Sequence, residues 1–344
     1  MRLIRTEDAV GQVLCHDITQ IIKGEKKGPV FRKGHVIREE DIPVLLSVGK
    51  DQLYIWEKEE GMLHEDEAAE ILCRMCINDH MVRSEVKEGK IELSADCDGL
   101  LKINRSALKA VNSCGEMMIA SVHGDFPVKK GDKLAGTRII PLVIEEEKMK
   151  RAKELAGEAP ILELKPFLHK KAGIITTGNE VFYGRIQDTF TPVIEEKLKE
   201  YDVEVSAHVT WNDDHAKITA SILEMIENGS DMVICTGGMS VDPDDKTPLA
   251  IKNTGASIVS YGAPVLPGAM FLLAYYEKEG RKIPVMGLPG CVMYAKRTIF
   301  DLILPRIMAD DEVKAEELAA LGEGGLCLSC PVCTFPICGF GKGV

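Results

Sequence analysis

No apolar run in this chain approaches the roughly 20 residues that a membrane-spanning helix needs. The opening "MRLIRTEDAVGQ" also lacks the uninterrupted apolar segment of a secretory signal. We therefore expect a cytoplasmic protein with no membrane partner. Positive charge is in deficit, 42 Lys and Arg against 54 Asp and Glu, for a net charge of −12. Phosphates would be repelled over most of such a surface, so no nucleic-acid partner is expected, although a local basic pocket remains compatible. The eight histidines form neither an HxH nor an HExxH pattern. None stands where it would obviously activate a serine. The two tryptophans, Trp56 and Trp211, read as packing residues rather than stacking platforms. Without a secretory signal, the eleven cysteines do not read first as a disulfide framework.

What the chain does hold is enough length, 344 residues, for two or three domains with real cores. Its 45% apolar and 28% charged content is ordinary for a globular protein. The pattern divides it into an N-terminal α+β segment (1–80), a β-rich domain with a linker helix (81–168), an α/β domain (169–310) and a Cys-rich tail (311–344). In the first, Ile42-Pro43 opens a short helix that Gly49 ends, "LYIW" (53–56) reads as a strand, and "EDEAAEILCRMCI" has helical spacing. In the second, "GKIELSAD", "DGLLKI" and "FPVKKGDKLAGTRIIPLVI" are glycine-punctuated strands, and the helix "EEEKMKRAKELAG" leads with carboxylates and trails with bases, as its dipole favours.

From Lys171 strands and helices alternate. "AGIITTG", "VEVSAHV", "MVIC" and "SIVS" read as strands, and "MFLLAYY" and "KIPVMGL" as a hairpin. Helices are expected after Thr191-Pro192, after Asp213 or Asp214, at Thr247-Pro248, and from Val292 to Met308. This order predicts a three-layer α/β/α fold with a mostly parallel sheet, whose ligands bind at the carboxyl ends of the strands.

Four loops follow those strand ends: "TTGNE" (176–180), "TGGMSVDPDD" (236–245), "APVLPGAM" (263–270) and "GLPG" (287–290). Adjacent glycines let backbone amides approach an anion without interference from a β-carbon. Thr176, Thr177, Thr236 and Ser240 add hydroxyls, so the set reads as a phosphate or pyrophosphate cradle. A lone TGG turn is more often a tight connection, and a lone Asp more often a solvated residue or a helix cap; four such loops at one edge favour a site. Glu180, Asp188 and Asp245 beside an anion are reconciled by a Mg²⁺ ion, which is commonly held by one or two carboxylates plus substrate phosphates.

"TTGNEV…GRIQD", "SDMVICTGGMSVDPDD", "PVLPGAM" and "MGLPG", in this order over roughly 170–308, resemble the molybdopterin-binding domain of molybdenum-cofactor biosynthesis proteins. The closer likeness is to the MoeA/gephyrin molybdenum-insertion branch. A weaker one covers "AVGQVLCHDIT" and "FRKGHVI…LLSVGKDQLYIW". The resemblance implies binding of molybdopterin or its adenylylated form, molybdate as co-substrate, Mg²⁺-dependent release of AMP, and a homo-oligomer. In enzyme terms it implies a molybdopterin molybdenumtransferase.

Its ligand contacts fall on Thr176, Thr177, Gly178 and Asn179, on Gly237, Gly238 and Ser240, on Pro267 and Gly268, and on Leu288, Pro289 and Gly290. Asp245, Glu180 and Asp188 take the catalytic places, with Mg²⁺ on Asp245 and Glu180. Four positions depart from the pattern: Phe190, Asp242 in place of glycine, Ala269 in place of lysine, and Cys291 in place of asparagine. Residues 311–344 offer no counterpart of the branch's C-terminal β-domain. The departures favour the alternative of a non-catalytic molybdopterin carrier or chaperone serving a molybdoenzyme client; Glu180 and Asp245 favour the enzyme. A weaker third reading is a pyrophosphatase acting on another nucleotide.

The tail "CLSCPVCTFPIC" places Cys327, Cys330, Cys333 and Cys338 within one short stretch. Four thiolates suit a tetrahedral zinc or an iron–sulfur cluster, and we expect one of these in preference to a flexible tail of free thiols. Cys73 and Cys76, on a predicted helix, read instead as buried small hydrophobes, as do Cys15, Cys97, Cys114 and Cys235.

Overall fold

Strands whose every residue is apolar must be covered on both faces, and this requirement organises the C-terminal half of the chain. The computed structural model describes residues 2–22, 26–55 and 60–343. The chain divides into two units: Met1–Asp96 with Ile103–Val122 and Lys130–Glu163, and Cys97–Lys102 with His123–Lys129 and Leu164–Val344.

In the first unit the helix Glu65–Cys76 forms where the spacing places it, burying Ala68, Leu72 and Met75. Cys73 and Cys76 lie on the same buried side, and burial pushes the Cys76 thiol up to about 12, so it stays a protonated small hydrophobe. A four-stranded antiparallel sheet runs in the order Met81–Arg83, Lys90–Ala95, Lys133–Ile139, Met117–Ser121. The helix Ile42–Ser47 starts with proline in its first turn, as the sequence predicts. Trp56 lies outside the described residues.

The second unit is built on a six-stranded sheet: β1 (Lys171–Thr177), β2 (Glu204–Trp211), β3 (Met232–Thr236), β4 (Ser257–Tyr261), β5 (Leu272–Lys278) and β6 (Arg281–Leu288). Its spatial order is β2-β1-β3-β6-β5-β4. The pairs β1/β2, β1/β3 and β3/β6 are parallel, and the β5–β6 hairpin and β4/β5 are antiparallel, so β5 alone runs against the rest.

Four helices cover the sheet: α1 (Phe190–Lys199), α2 (His215–Glu227), α3 (Thr247–Asn253) and α4 (Ile299–Met308). Side chains alternate between two cores with the period of a strand. On β3, Met232 and Ile234 join one core with Ile194 and Leu198 of α1 and Ile303 of α4. Val233 and Cys235 join the other with Ile218 and Ile222 of α2 and Ile251 of α3. This is the expected three-layer α/β/α arrangement. Each fully buried Ile or Leu contributes about 1.5–3 kcal/mol.

Two helix starts differ from the expectation. α1 is capped by Asp188, which accepts from the amides of Phe190 at 2.9 Å and Thr191 at 3.1 Å, so Thr191 is inside the helix rather than capping it. α4 begins at Ile299 rather than Val292, because Thr298 and Asp301 form a capping box and only a 3-10 turn, Gly290–Met293, precedes it, and a further helix, Ala315–Ala320, follows in the tail. Asp214, not Asp213, caps α2, accepting from Ala216 and Lys217.

Candidate functional site

All four glycine loops leave the carboxyl ends of β1, β3 and β6 or precede β5, and three of them line one cavity of about 650 Å³. Its walls include Gly237, Gly238, Ser240 and Asp245 after β3, Pro267 and Gly268 before β5, and Pro289 and Gly290 after β6. Eight residues of the predicted ligand and Mg²⁺ set therefore come together. Thr176, Thr177, Gly178, Asn179, Glu180, Asp188 and Leu288 are not among the lining residues.

The shape of the cavity depends on close backbone approach. A β-carbon on Gly237, which has φ +82°, would stand 2.2 Å from the Thr177 carbonyl oxygen. One on Gly268, φ +132°, would stand 2.5 Å from Ile299 Cγ2. No side-chain-bearing residue fits either position without moving the loop.

The β1 residues brace this geometry. The Thr177 hydroxyl donates to the Thr236 carbonyl at 3.1 Å and lies 3.1 Å from Thr247 Oγ1, whose own hydroxyl donates to the Gly237 carbonyl at 2.9 Å. The Thr176 hydroxyl donates to Asp188 Oδ2 at 3.2 Å and lies 3.0 Å from His208 Nε2. Both threonines are buried, which turns their hydroxyls into fasteners between loops. Asp188 is a fastener too. Burial raises its pKa, but the Thr191 hydroxyl, the Thr191 and Phe190 amides and the Thr176 hydroxyl outweigh that and hold the carboxyl below its ordinary range. Leu288 is wholly buried in the core.

The carboxylates at this end of the sheet act on one another. Burial pushes the Asp213 carboxyl up, and the charges of Glu180, Asp245 and Asp244 push it further, against a 3.2 Å hydrogen bond from the Asn179 amide. Asp213 is a residue that the motif reading passed over except as a possible helix cap. Among the described residues, however, no group of three or more His, Cys, Asp or Glu is arranged to hold a metal ion. The Mg²⁺ expected on Asp245 and Glu180 has no such group, and Glu180 does not line the cavity that Asp245 lines.

The tail corrects the expectation of a cysteine-ligated centre. Cys330 and Cys333 are exposed, whereas Cys327 and Cys338 pack partly against the core. They do not gather, because aromatic anchors set the path of the segment. The Phe335 ring packs at a tilt against Phe126 at 5.8 Å and edge-to-face with Phe340 at 6.3 Å, with the Arg297 guanidinium 5.2 Å over its ring. The zinc or iron–sulfur site at Cys327, Cys330, Cys333 and Cys338 is therefore not formed. The segment instead walls the cavity. The Leu266 amide donates to the Gly325 carbonyl and the Cys327 amide to the Leu266 carbonyl, both at 2.8 Å, which brings Leu326, Cys327 and Ser329 to the lining.

Phe190, Leu266, Met270 and Tyr294 also line the cavity, and no periodicity signalled them. Trp211 packs as expected, its indole N–H donating to Ser221 at 2.8 Å.

The fold and the loops together define an α/β ligand-binding domain with its cavity at the carboxyl ends of parallel strands. Residues 173–309 match the family model described as "Probable molybdopterin binding domain". Residues 3–57 match a second model, described as a domain of unknown function (DUF8806). A CinA-like protein of Mycobacterium tuberculosis is 42% identical over 78 residues, which is 22% of this chain and 18% of that protein. The chain thus matches less than a fifth of that relative's length.

Among solved structures, the tungsten cofactor synthesizing protein MoaB from Pyrococcus furiosus is 23% identical. That match covers 36% of this chain and 84% of the other, with a TM-score of 0.32. The protein CinA from Thermoplasma acidophilum is 21% identical over 40% of this chain and 98% of its own, with a TM-score of 0.32.

Proposed function

We propose that the 169–310 domain binds molybdopterin, free or adenylylated, in the cavity at its strand ends, and that the protein serves molybdenum cofactor biosynthesis. The observation that carries this reading is the cavity itself, about 650 Å³ and walled by the three glycine loops of the matched domain. No Lys, Arg or His stands among its lining residues. Phosphate oxygens would therefore be held by backbone amides at Gly237–Gly238, Gly268 and Gly290 and by the Ser240 hydroxyl, with the pterin against Phe190, Pro289 and Tyr294. Equilibrium binding of molybdopterin to the full chain tests this. We expect saturable binding that Gly237→Ala weakens at least tenfold, and absence of binding by the intact protein would overturn the reading.

A second reading, molybdenum insertion from molybdate with release of AMP, is favoured by the crowding of Asp245, Asp244, Glu180 and Asp213. Burial and these neighbouring charges push the Asp213 carboxyl up, and a divalent cation at Asp245 would offset some of that charge. The pterin dithiolene would take up the metal, and hydrolysis of the phosphoanhydride would free AMP, so no protein nucleophile is required. Ala269 and Cys291, standing where the resemblance places lysine and asparagine, favour the carrier reading. Adenylylated molybdopterin, Mg²⁺ and molybdate should yield AMP with the wild type and none with Asp245→Ala. Tight binding without AMP leaves a carrier for a molybdoenzyme client.

A further inference from the structure

The cavity is rich in sulfur and poor in oxygen ligands. Met239, Met270, Cys291 and Cys327 all line it, against Asp245 as its one carboxylate. The two thiols arrive from different elements. Cys291 belongs to the 3-10 turn Gly290–Met293 that follows β6. Cys327 belongs to the tail, where the Leu266/Leu326 bridge seats it. Its amide is fixed by the 2.8 Å bond to the Leu266 carbonyl. Both are half-buried and neither is in a disulfide. The wall that carries Cys327 is firmly built. A β-carbon on Gly325 would stand 2.4 Å from the Pro264 carbonyl oxygen, and the neighbouring Phe340 is buried.

We propose that Cys291 and Cys327 form a two-thiolate site for a soft, thiophilic metal ion within this cavity, with the tail supplying half of it. Thiolate and thioether surroundings select soft d¹⁰ ions over Mg²⁺ or Ca²⁺. Each thiol that binds releases its proton to solvent and forms one sulfur–metal bond, with no change of oxidation state. Two protein sulfurs leave a tetrahedral ion two open positions. Under the molybdopterin reading, on which this last step rests, the two dithiolene sulfurs of the pterin would fill them and complete a four-sulfur set. The cavity would then recognise a metal-loaded pterin rather than the pterin alone.

The test is a Cd²⁺ titration of the full chain in oxygen-free buffer with a non-thiol reductant and no pterin, read by the ultraviolet thiolate-to-metal charge-transfer band. Because no pterin is present, its outcome is independent of whether the protein binds molybdopterin. We expect Cys291→Ser and Cys327→Ser each to weaken binding at least tenfold, and the double variant Cys330→Ser/Cys333→Ser to leave it unchanged. Unchanged affinity in either single variant, or loss in the double variant, would overturn the proposal. Alkylation mapping of the wild type guards against a variant that fails to fold. Bound Cd²⁺ should protect Cys291 and Cys327 from iodoacetamide while Cys330 and Cys333 stay reactive, and equal labelling of all four with and without Cd²⁺ would also sink it.

Discussion

Gly237 sits so close to Thr177 that a β-carbon on it would stand 2.2 Å from the Thr177 carbonyl oxygen. That contact sets the turn that leads β3 into the cavity, and it combines a backbone collision with a left-handed φ of +82°. Gly237→Ala should cost roughly 2–4 kcal/mol in chemical denaturation, more than the conformational term alone. A loss well below 1 kcal/mol would mean that the loop relaxes freely.

Asp188 is expected to behave as a helix cap. Its Oδ1 accepts two amides at the start of α1. Asp188→Ala should destabilise the fold by about 1–2 kcal/mol. Molybdopterin affinity, measured at a temperature where the variant is fully folded, should change less than threefold. A hundredfold loss of affinity or turnover in the folded variant would restore a direct role in the chemistry.

Asp311 gives the protein an acid-labile fastening. Burial raises its pKa, but hydrogen bonds from Lys102 and Lys165 and the Arg306 charge bring it from 3.8 down to about 2. A carboxyl depressed in the folded state stabilises above its unfolded pKa and loses that contribution as pH falls through its folded one. The wild type should therefore lose about 2 kcal/mol between roughly pH 4 and pH 2 from this group. Asp311→Ala should be about 3 kcal/mol less stable at neutral pH. Its melting temperature should fall less steeply over the same acid range, and parallel wild-type and variant profiles would contradict the assignment.

The tail should behave as part of the domain. Gly325→Ala places a carbon 2.4 Å from the Pro264 carbonyl oxygen and 2.5 Å from that of Leu321. Limited proteolysis should then cut within 322–338 at least tenfold faster than in the wild type. Equal cleavage rates would show that the segment is not held by this contact.

The strand-and-helix order of the second unit could be read from the sequence because its signals are local. Apolar runs such as "MVIC" and "KIPVMGL" have the length of buried strands, and Pro248 opens α3 by its fixed φ. The glycine loops were equally legible, since only glycine allows amides so near a ligand or another backbone. Roles within the site were less so. Asp188, Thr176 and Thr177 share the motif with the cavity residues, yet their polar atoms are used in bonds to the next loop or helix. Motif membership records adjacency along the chain and is silent on which way a side chain points.

The sequence by itself determined the layered α/β domain, the edge of the sheet at which the glycine loops gather, and the glycines that shape the turns, because each depends on residue type and short-range spacing. Tertiary structure alone decided the fate of the cysteines. Spacing brings Cys327, Cys330, Cys333 and Cys338 near one another in sequence, but Phe335 and Phe340 pack at the core and the path they set leaves Cys330 and Cys333 exposed. The same packing carries Cys327 to the cavity that Cys291 also lines. The two residues are separated in sequence, and only the folded chain brings both to one cavity, since the cost of closing the loop between them is met by the hydrophobic burial of the whole domain.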